Sequence, residues 1–96
     1  MTDMNKKLKA TLERIIRERL DGLHITKIEM RSDKDFDGDE VYYITVVFDA
    51  KKGKPDPERA AGLVRYVRSG LGNRSDHFPI FRYISEGDAK RIGIEA

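Results

Sequence analysis

The acidic segment Asp33–Glu40 has the residue types and spacing that come nearest to a metal site. It begins Asp-Lys-Asp-Phe-Asp-Gly, which matches the opening of a calcium-binding loop, where alternating carboxylates face one ion and glycine makes the bend. The twelfth position of such a loop is Ile44 in this chain, where a glutamate should bind the ion through both oxygens. The flanking residues also favour strands over helices. We therefore expect a solvated acidic hairpin loop and assign no metal ligands.

No combination of residues in the sequence points to catalysis. The chain has no cysteine, which excludes thiolate catalysis, disulfide bonds and zinc–thiolate sites. His24 and His77 do not stand in a spacing typical of metal ligands, and no G-x-S-x-G motif offers a nucleophile. The Gly70–Gly72 run follows a predicted helix, whereas a phosphate-binding loop would precede one. We expect neither an enzymatic activity nor a cofactor.

Basic residues around the second predicted helix are the candidates for nucleic-acid binding. Arg65 and Arg68 are three residues apart and therefore share one side of that helix. The full candidate set is Lys51, Lys52, Lys54, Arg65, Arg68 and Arg74. Together these side chains would form a basic ridge that contacts phosphates. A solvated helix flank that pairs with Glu58 and Asp76 would explain the same residues equally well.

Five main elements must position these residues, in the order α-β-β-α-β. Apolar residues at helical spacing predict the first helix over about 4–20 and a second one that begins at the Asp56-Pro57 cap. Strands are predicted at His24–Arg31, with a bulge near Ile25, at Val41–Asp49 and at Phe78–Ile84. Ser85 is placed to cap a short C-terminal turn.

This order predicts one α+β domain over residues 1–96, with two helices on one face of a three-stranded sheet. The other face, called the open face below, would stay uncovered. Tyr42 or Tyr43, together with Phe81 or Tyr83, would lie on it. Tyr43, Phe81 and Tyr83 are the residues assigned to it as an interface, because an exposed apolar and aromatic surface is typical of a binding site. A terminal segment folded over this face would be compatible with the same sequence.

Several segments resemble the KH-like domain of the ribosome-binding factor A family. Ile25–Met30 is similar to the family's first strand and Pro79–Tyr83 to its last strand. Ala61–Arg65 is similar to its Ala/Ser-Gly-φ-φ-Arg segment, in which small residues kink the helical region. Asn73–His77 replaces a basic segment of the family, and the acidic loop is an addition. The resemblance implies a KH-like fold and a role in RNA binding or ribosome assembly.

Composition limits the remaining function classes. Hydrophobic residues make up 39% and charged residues 38%, which suits a folded domain better than a disordered chain. No apolar stretch approaches the roughly 18 residues of a membrane span, and the N-terminus lacks the apolar region of a secretory signal. We therefore expect a cytoplasmic protein without membrane contact.

Two kinds of binding module are compatible with this sequence. One is a KH-like RNA-binding module, and the other is a protein-interaction module, either a homodimer or an antitoxin-like accessory subunit, that uses the open face. The surroundings of the aromatic residues separate the two hypotheses. Basic side chains beside exposed aromatics favour nucleic acid, whereas aromatics buried in a symmetric contact favour self-association.

Overall fold

The computed structural model describes residues 6–70 and 78–92. Its elements are α1 (Lys6–Arg19), β1 (Ile25–Lys34), β2 (Glu40–Phe48), α2 (Pro57–Gly70), β3 (Phe78–Ser85) and α3 (Glu86–Arg91). The α+β class and the predicted α-β-β-α-β order are confirmed, and the turn predicted at Ser85 is the start of α3. Within these two ranges, no helix is long and apolar enough to cross a membrane.

The three strands form one sheet in the order β1-β2-β3, so β2 is hydrogen-bonded on both sides. β1 runs antiparallel to β2, whereas β3 runs parallel to it because α2 carries the chain back across the sheet. The register shifts between Ile25 and Lys27, which confirms the predicted bulge. β1 continues beyond its predicted end at Arg31, since the residues up to Lys34 still pair with the start of β2.

α1 and α2 cover the same face of the sheet, as the sequence predicts. Leu12, Ile16, Leu63 and Val67 are fully buried and belong to one apolar cluster with Ile44 and Val46 of β2. Burying each of these side chains favours folding by about 1.5–3 kcal/mol. The helices approach closely near Gly70, where a Cβ atom would lie 2.5 Å from Cδ1 of Ile15. The principal core therefore lies between the two helices and one sheet face.

Phe81 and Tyr83 lie on the helix-covered face, which corrects the expectation that they belong to the open face. The register pairs Phe81 with Ile44 and Tyr83 with Val46, and paired residues share a face. Both aromatic side chains are partly buried against the core. Of the three predicted interface residues, Tyr43 alone lies on the open face.

α3 packs against β2 and β3. Its first turn is capped by Ser85, whose Oγ accepts a hydrogen bond from the backbone N–H of Asp88 at 3.2 Å. Val47 points away from the main core, yet Val47 and Ala89 are both fully buried. We attribute this burial to α3, which covers the Val47 end of the open face. The part of that face around Tyr43 and Ile80 is left accessible.

Candidate functional site

Two rows of side chains cross the accessible part of the open face. The register aligns Arg31, Tyr43 and Ile80 in one row, and Glu29, Thr45 and Arg82 in the next. The strands lie about 4.8 Å apart, so neighbours within a row are close enough to act on one ligand. The rows border a shallow depression of about 460 Å³, lined by Glu29, Met30, Arg31, Tyr43, Ile44, Thr45, Ile80 and Arg82.

Arg31 stacks over the ring of Tyr43, with its guanidinium carbon 4.6 Å from the ring centroid. This is a cation–π contact between directly paired residues of β1 and β2. Nη1 of Arg31 also lies 3.3 Å from Oδ2 of Asp33, which helps to hold the guanidinium in place. Arg31 thus places a planar cation against the aromatic ring of the central strand.

Arg82 and Ile80 complete this surface from the β3 side. Arg82 is exposed and forms no ion pair with any residue of 6–70 or 78–92. Ile80 is 43% exposed and lies next to Tyr43 in the sheet. The acidic side chain of Glu29, by contrast, lies 3.8 Å from the ammonium group of Lys27. The surface therefore combines an aromatic ring, an apolar side chain and a cation without a carboxylate partner.

The predicted basic ridge along α2 is divided in the structure. Arg65 and Arg68 are exposed and border the same shallow depression on the outer side of the helix. Lys54 lies in a different hollow, between Asp21, Asp56 and Arg59. Pro57 and Arg65 are already about 12 Å apart along the helix axis, given the rise per residue. Lys54 is thus separated from the two arginines.

The remaining predicted basic residues flank α2. Lys51 and Lys52 are exposed in the loop before the helix, where their backbone N–H groups each donate a 3.0 Å hydrogen bond to Asp49. Arg74 lies outside the described residues. The helix is continuous through the Ala61–Arg65 segment. In the described part of the chain, Arg65 and Arg68 are therefore the two neighbouring cations on the outer side of α2.

A second arginine–tyrosine stack lies on the helical side of the domain. The guanidinium carbon of Arg19 is 3.7 Å from the ring centroid of Tyr66, which is 42% exposed. Our sequence analysis did not identify this pair, nor Arg31, Ile80 and Arg82. Side chains alternate between the two faces of the sheet along β1, so Arg31 lies on the face opposite to that of Met30. Arg31 could therefore have been identified once the register of the hairpin was known.

The acidic segment forms the tight turn between β1 and β2. Oδ1 of Asp35 accepts hydrogen bonds from the backbone N–H groups of Asp37 and Asp39, both at 2.9 Å. Gly38 adopts a φ of 84°, a conformation that glycine reaches without steric cost. The carboxylates of Asp35, Asp37 and Asp39 are exposed and have oxygens within 4.8 Å of one another. The hydrogen bonds of Asp35 and the backbone conformation of Gly38 show that both residues serve the hairpin turn.

Comparison with known proteins leaves these surfaces as the basis for a functional proposal. No family model, no curated protein and no solved structure matches the chain.

Proposed function

We propose that this domain is a small non-enzymatic binding module whose ligand is RNA. The observation that carries the proposal is the placement of Arg65 and Arg68, which are both exposed and border one depression on the outer side of α2. A guanidinium group can donate two parallel hydrogen bonds to one phosphate, so two neighbouring arginines suit an RNA backbone. Lys51 and Lys52 add positive charge in the loop before the same helix.

The resemblance to the ribosome-binding factor A family supports the same ligand. It makes ribosomal RNA the first RNA to test and a role in ribosome assembly the first biological context. Such a ligand would also place the protein in the cytoplasm. Contacts to phosphate position a protein without reading sequence, so this surface needs no sequence preference.

Replacing both arginines tests the proposal. The double variant Arg65→Ala/Arg68→Ala should weaken RNA binding by about 1–2 kcal/mol, the amount expected for two exposed charge contacts. Folding should be nearly unchanged, because both side chains are exposed and lie off the apolar stripe of α2. The measurement is a titration with structured and single-stranded RNA at about 50 and 200 mM salt.

Arg14→Ala/Arg17→Ala is the matched control. These exposed arginines of α1 are also three residues apart and carry the same charge, and they contact Glu18 and Glu13. The control should retain RNA affinity. Absence of wild-type binding at the lower salt would contradict the proposal, and so would equal weakening by the two double variants. Equal weakening of RNA binding would mean that the affinity depends on the net charge of the protein and not on the surface of α2.

The second candidate is a protein-interaction module, either self-associating or antitoxin-like, that uses the open face. The specific observation in its favour is the exposure of Phe78 and Ile80, 56% and 43%, which pair with Val41 and Tyr43 of β2. Aromatic residues and arginine are enriched in protein interfaces and in their energetic centres. This candidate predicts that Tyr43 is needed for assembly with a protein, whereas Arg65 and Arg68 are not.

A further inference from the structure

We infer that the open face binds an unpaired base of the RNA, stacked on the Arg31–Tyr43 pair. This inference rests on the proposed function and makes it more specific. It states that the ligand is single-stranded at the contact and that its bases, and not its phosphates alone, touch the protein. The contact lies on the sheet, on the opposite side from α1.

The stacked pair provides the surface for a base. Tyr43 is on β2, the strand that is hydrogen-bonded on both sides, so the position of its backbone is fixed by two neighbours. Arg31 covers the ring at 4.6 Å and is itself exposed. RNA bases stack on aromatic rings and equally on guanidinium planes. A base can therefore stack on the outer side of the guanidinium, or on the tyrosine ring after a small movement of Arg31.

The neighbouring side chains complement the rest of a nucleotide. Ile80, beside Tyr43 in the same row, offers apolar contact to the edge of a base. Arg82 is exposed, and no carboxylate of the described residues pairs with it, so its charge is available to a phosphate. Thr45 stands between Glu29 and Arg82 and offers a hydroxyl group to the ribose.

The same features select a single strand over a duplex. Stacking on a protein side chain requires a base whose face is free, and a duplex keeps its base faces inside its own stack. The depression of about 460 Å³ is within the size range of small-molecule sites, so it is large enough for a nucleotide. α3 limits the accessible area at the Val47 end. These features favour one or two unpaired nucleotides as the occupant.

The test separates base contacts from phosphate contacts. The probes are an oligouridine of about 12 nucleotides, within the usual range of single-strand site sizes, and an abasic oligonucleotide of equal length and charge. The wild type should bind the oligouridine on the order of tenfold more tightly than the abasic strand, as one or two stacked bases would give. Tyr43→Leu should remove that difference, while Tyr43→Phe should keep it.

Tyr66→Leu is the matched control, since Tyr66 is also stacked by an arginine but lies on the helical side. It should bind both probes as the wild type does. Arg82→Gln is a second open-face variant for the case that Tyr43→Leu lowers stability, and it should weaken binding to both probes.

The possible results distinguish this inference from the proposed function. If the wild type binds both probes equally and Arg65→Ala/Arg68→Ala still weakens binding, the base contact is wrong and the proposed function stands. If Tyr43→Leu leaves the preference for oligouridine intact, the inference is also wrong. If the wild type binds neither probe, both are overturned. If the wild type self-associates without binding RNA and Tyr43→Leu abolishes that self-association, the open face is assigned to a protein partner.

Discussion

The hydroxyl group of Tyr83 is buried without a hydrogen-bond partner among the described residues. Burial also raises the pKa of this phenol, because the charged form loses its hydration. A buried hydroxyl that makes no hydrogen bond costs about 1–3 kcal/mol. Tyr83→Phe should therefore leave the free energy of unfolding unchanged or increase it, as measured by urea denaturation. A loss of more than about 1 kcal/mol would instead show that the hydroxyl is bonded.

Asp35 should act as a structural residue of the β1–β2 turn. Its Oδ1 already accepts two backbone hydrogen bonds, and the loop lacks the last carboxylate of a calcium loop. Asp35→Ala should lower stability by about 1 kcal/mol, in the range measured for side chains that cap backbone N–H groups. Calorimetry should show no tight calcium binding by the wild type.

Asp35→Asn tests the hydrogen bonds of the turn without the charge of Asp35. The amide keeps an oxygen that can accept the two backbone hydrogen bonds, and it removes one negative charge from the loop. We expect this variant to be more stable than Asp35→Ala. Submicromolar calcium affinity in the wild type that Asp35→Ala abolishes would contradict a purely structural role.

The sequence indicated that one of the neighbouring residues Tyr42 and Tyr43 lies on the open face, but it could not place Phe81 and Tyr83. Tyr43 belongs to a long strand that pairs with its hairpin neighbour, and there the local sequence pattern helps to predict which face a side chain occupies. The face of each β3 residue depends on the register between two parallel strands connected through α2. A shift of this register by one residue moves every side chain of β3 to the other face. Phe81 and Tyr83 are two residues apart, so they share one face, but their spacing does not show which face it is.

α2 should tolerate alanine in place of Gly62. Among the described residues, a Cβ atom there would meet no heavy atom within 4 Å outside the neighbouring backbone of the helix, and the residue is inside a continuous helix. Alanine in a helix interior is favoured over glycine by about 0.5–1 kcal/mol. Gly62→Ala should therefore raise the midpoint of thermal unfolding.

Gly70→Ala is the comparison within the same helix. There the added Cβ would lie 2.5 Å from Cδ1 of Ile15, so that side chain must move. This variant should gain less stability than Gly62→Ala. Destabilisation by Gly62→Ala would contradict a regular helix at this position.

The sequence predicted the starts of α2 and α3 better than the extent of β1. Oδ1 of Asp56 accepts a hydrogen bond from the N–H of Glu58 at 2.9 Å, and Ser85 caps α3, as their residue types predicted. These signals are local. Ser32, Asp33 and Lys34 are polar and do not favour a strand by composition, yet they pair with Tyr42, Val41 and Glu40. That pairing depends on the hairpin turn and not on the propensity of the segment.

The domain covers the two sides of its sheet unequally. α1 and α2 bury one face, and α3 reaches one end of the other. What stays accessible, Tyr43 with Arg31, Ile80 and Arg82, is a mixture of aromatic, apolar and basic groups. Their proximity arises from pairing between three strands, so only the contribution of Tyr43 was foreseeable from the sequence.

Sedimentation velocity of a labelled single-stranded RNA, with and without the protein, tests the RNA proposal most directly. The same runs report the mass of the protein. We expect the protein alone to sediment as a monomer of 11.0 kDa. It should shift the RNA to a faster species at about 50 mM salt and shift it much less at about 200 mM, because phosphate contacts release counterions. A stable protein dimer that leaves the RNA unshifted at the lower salt would contradict the account.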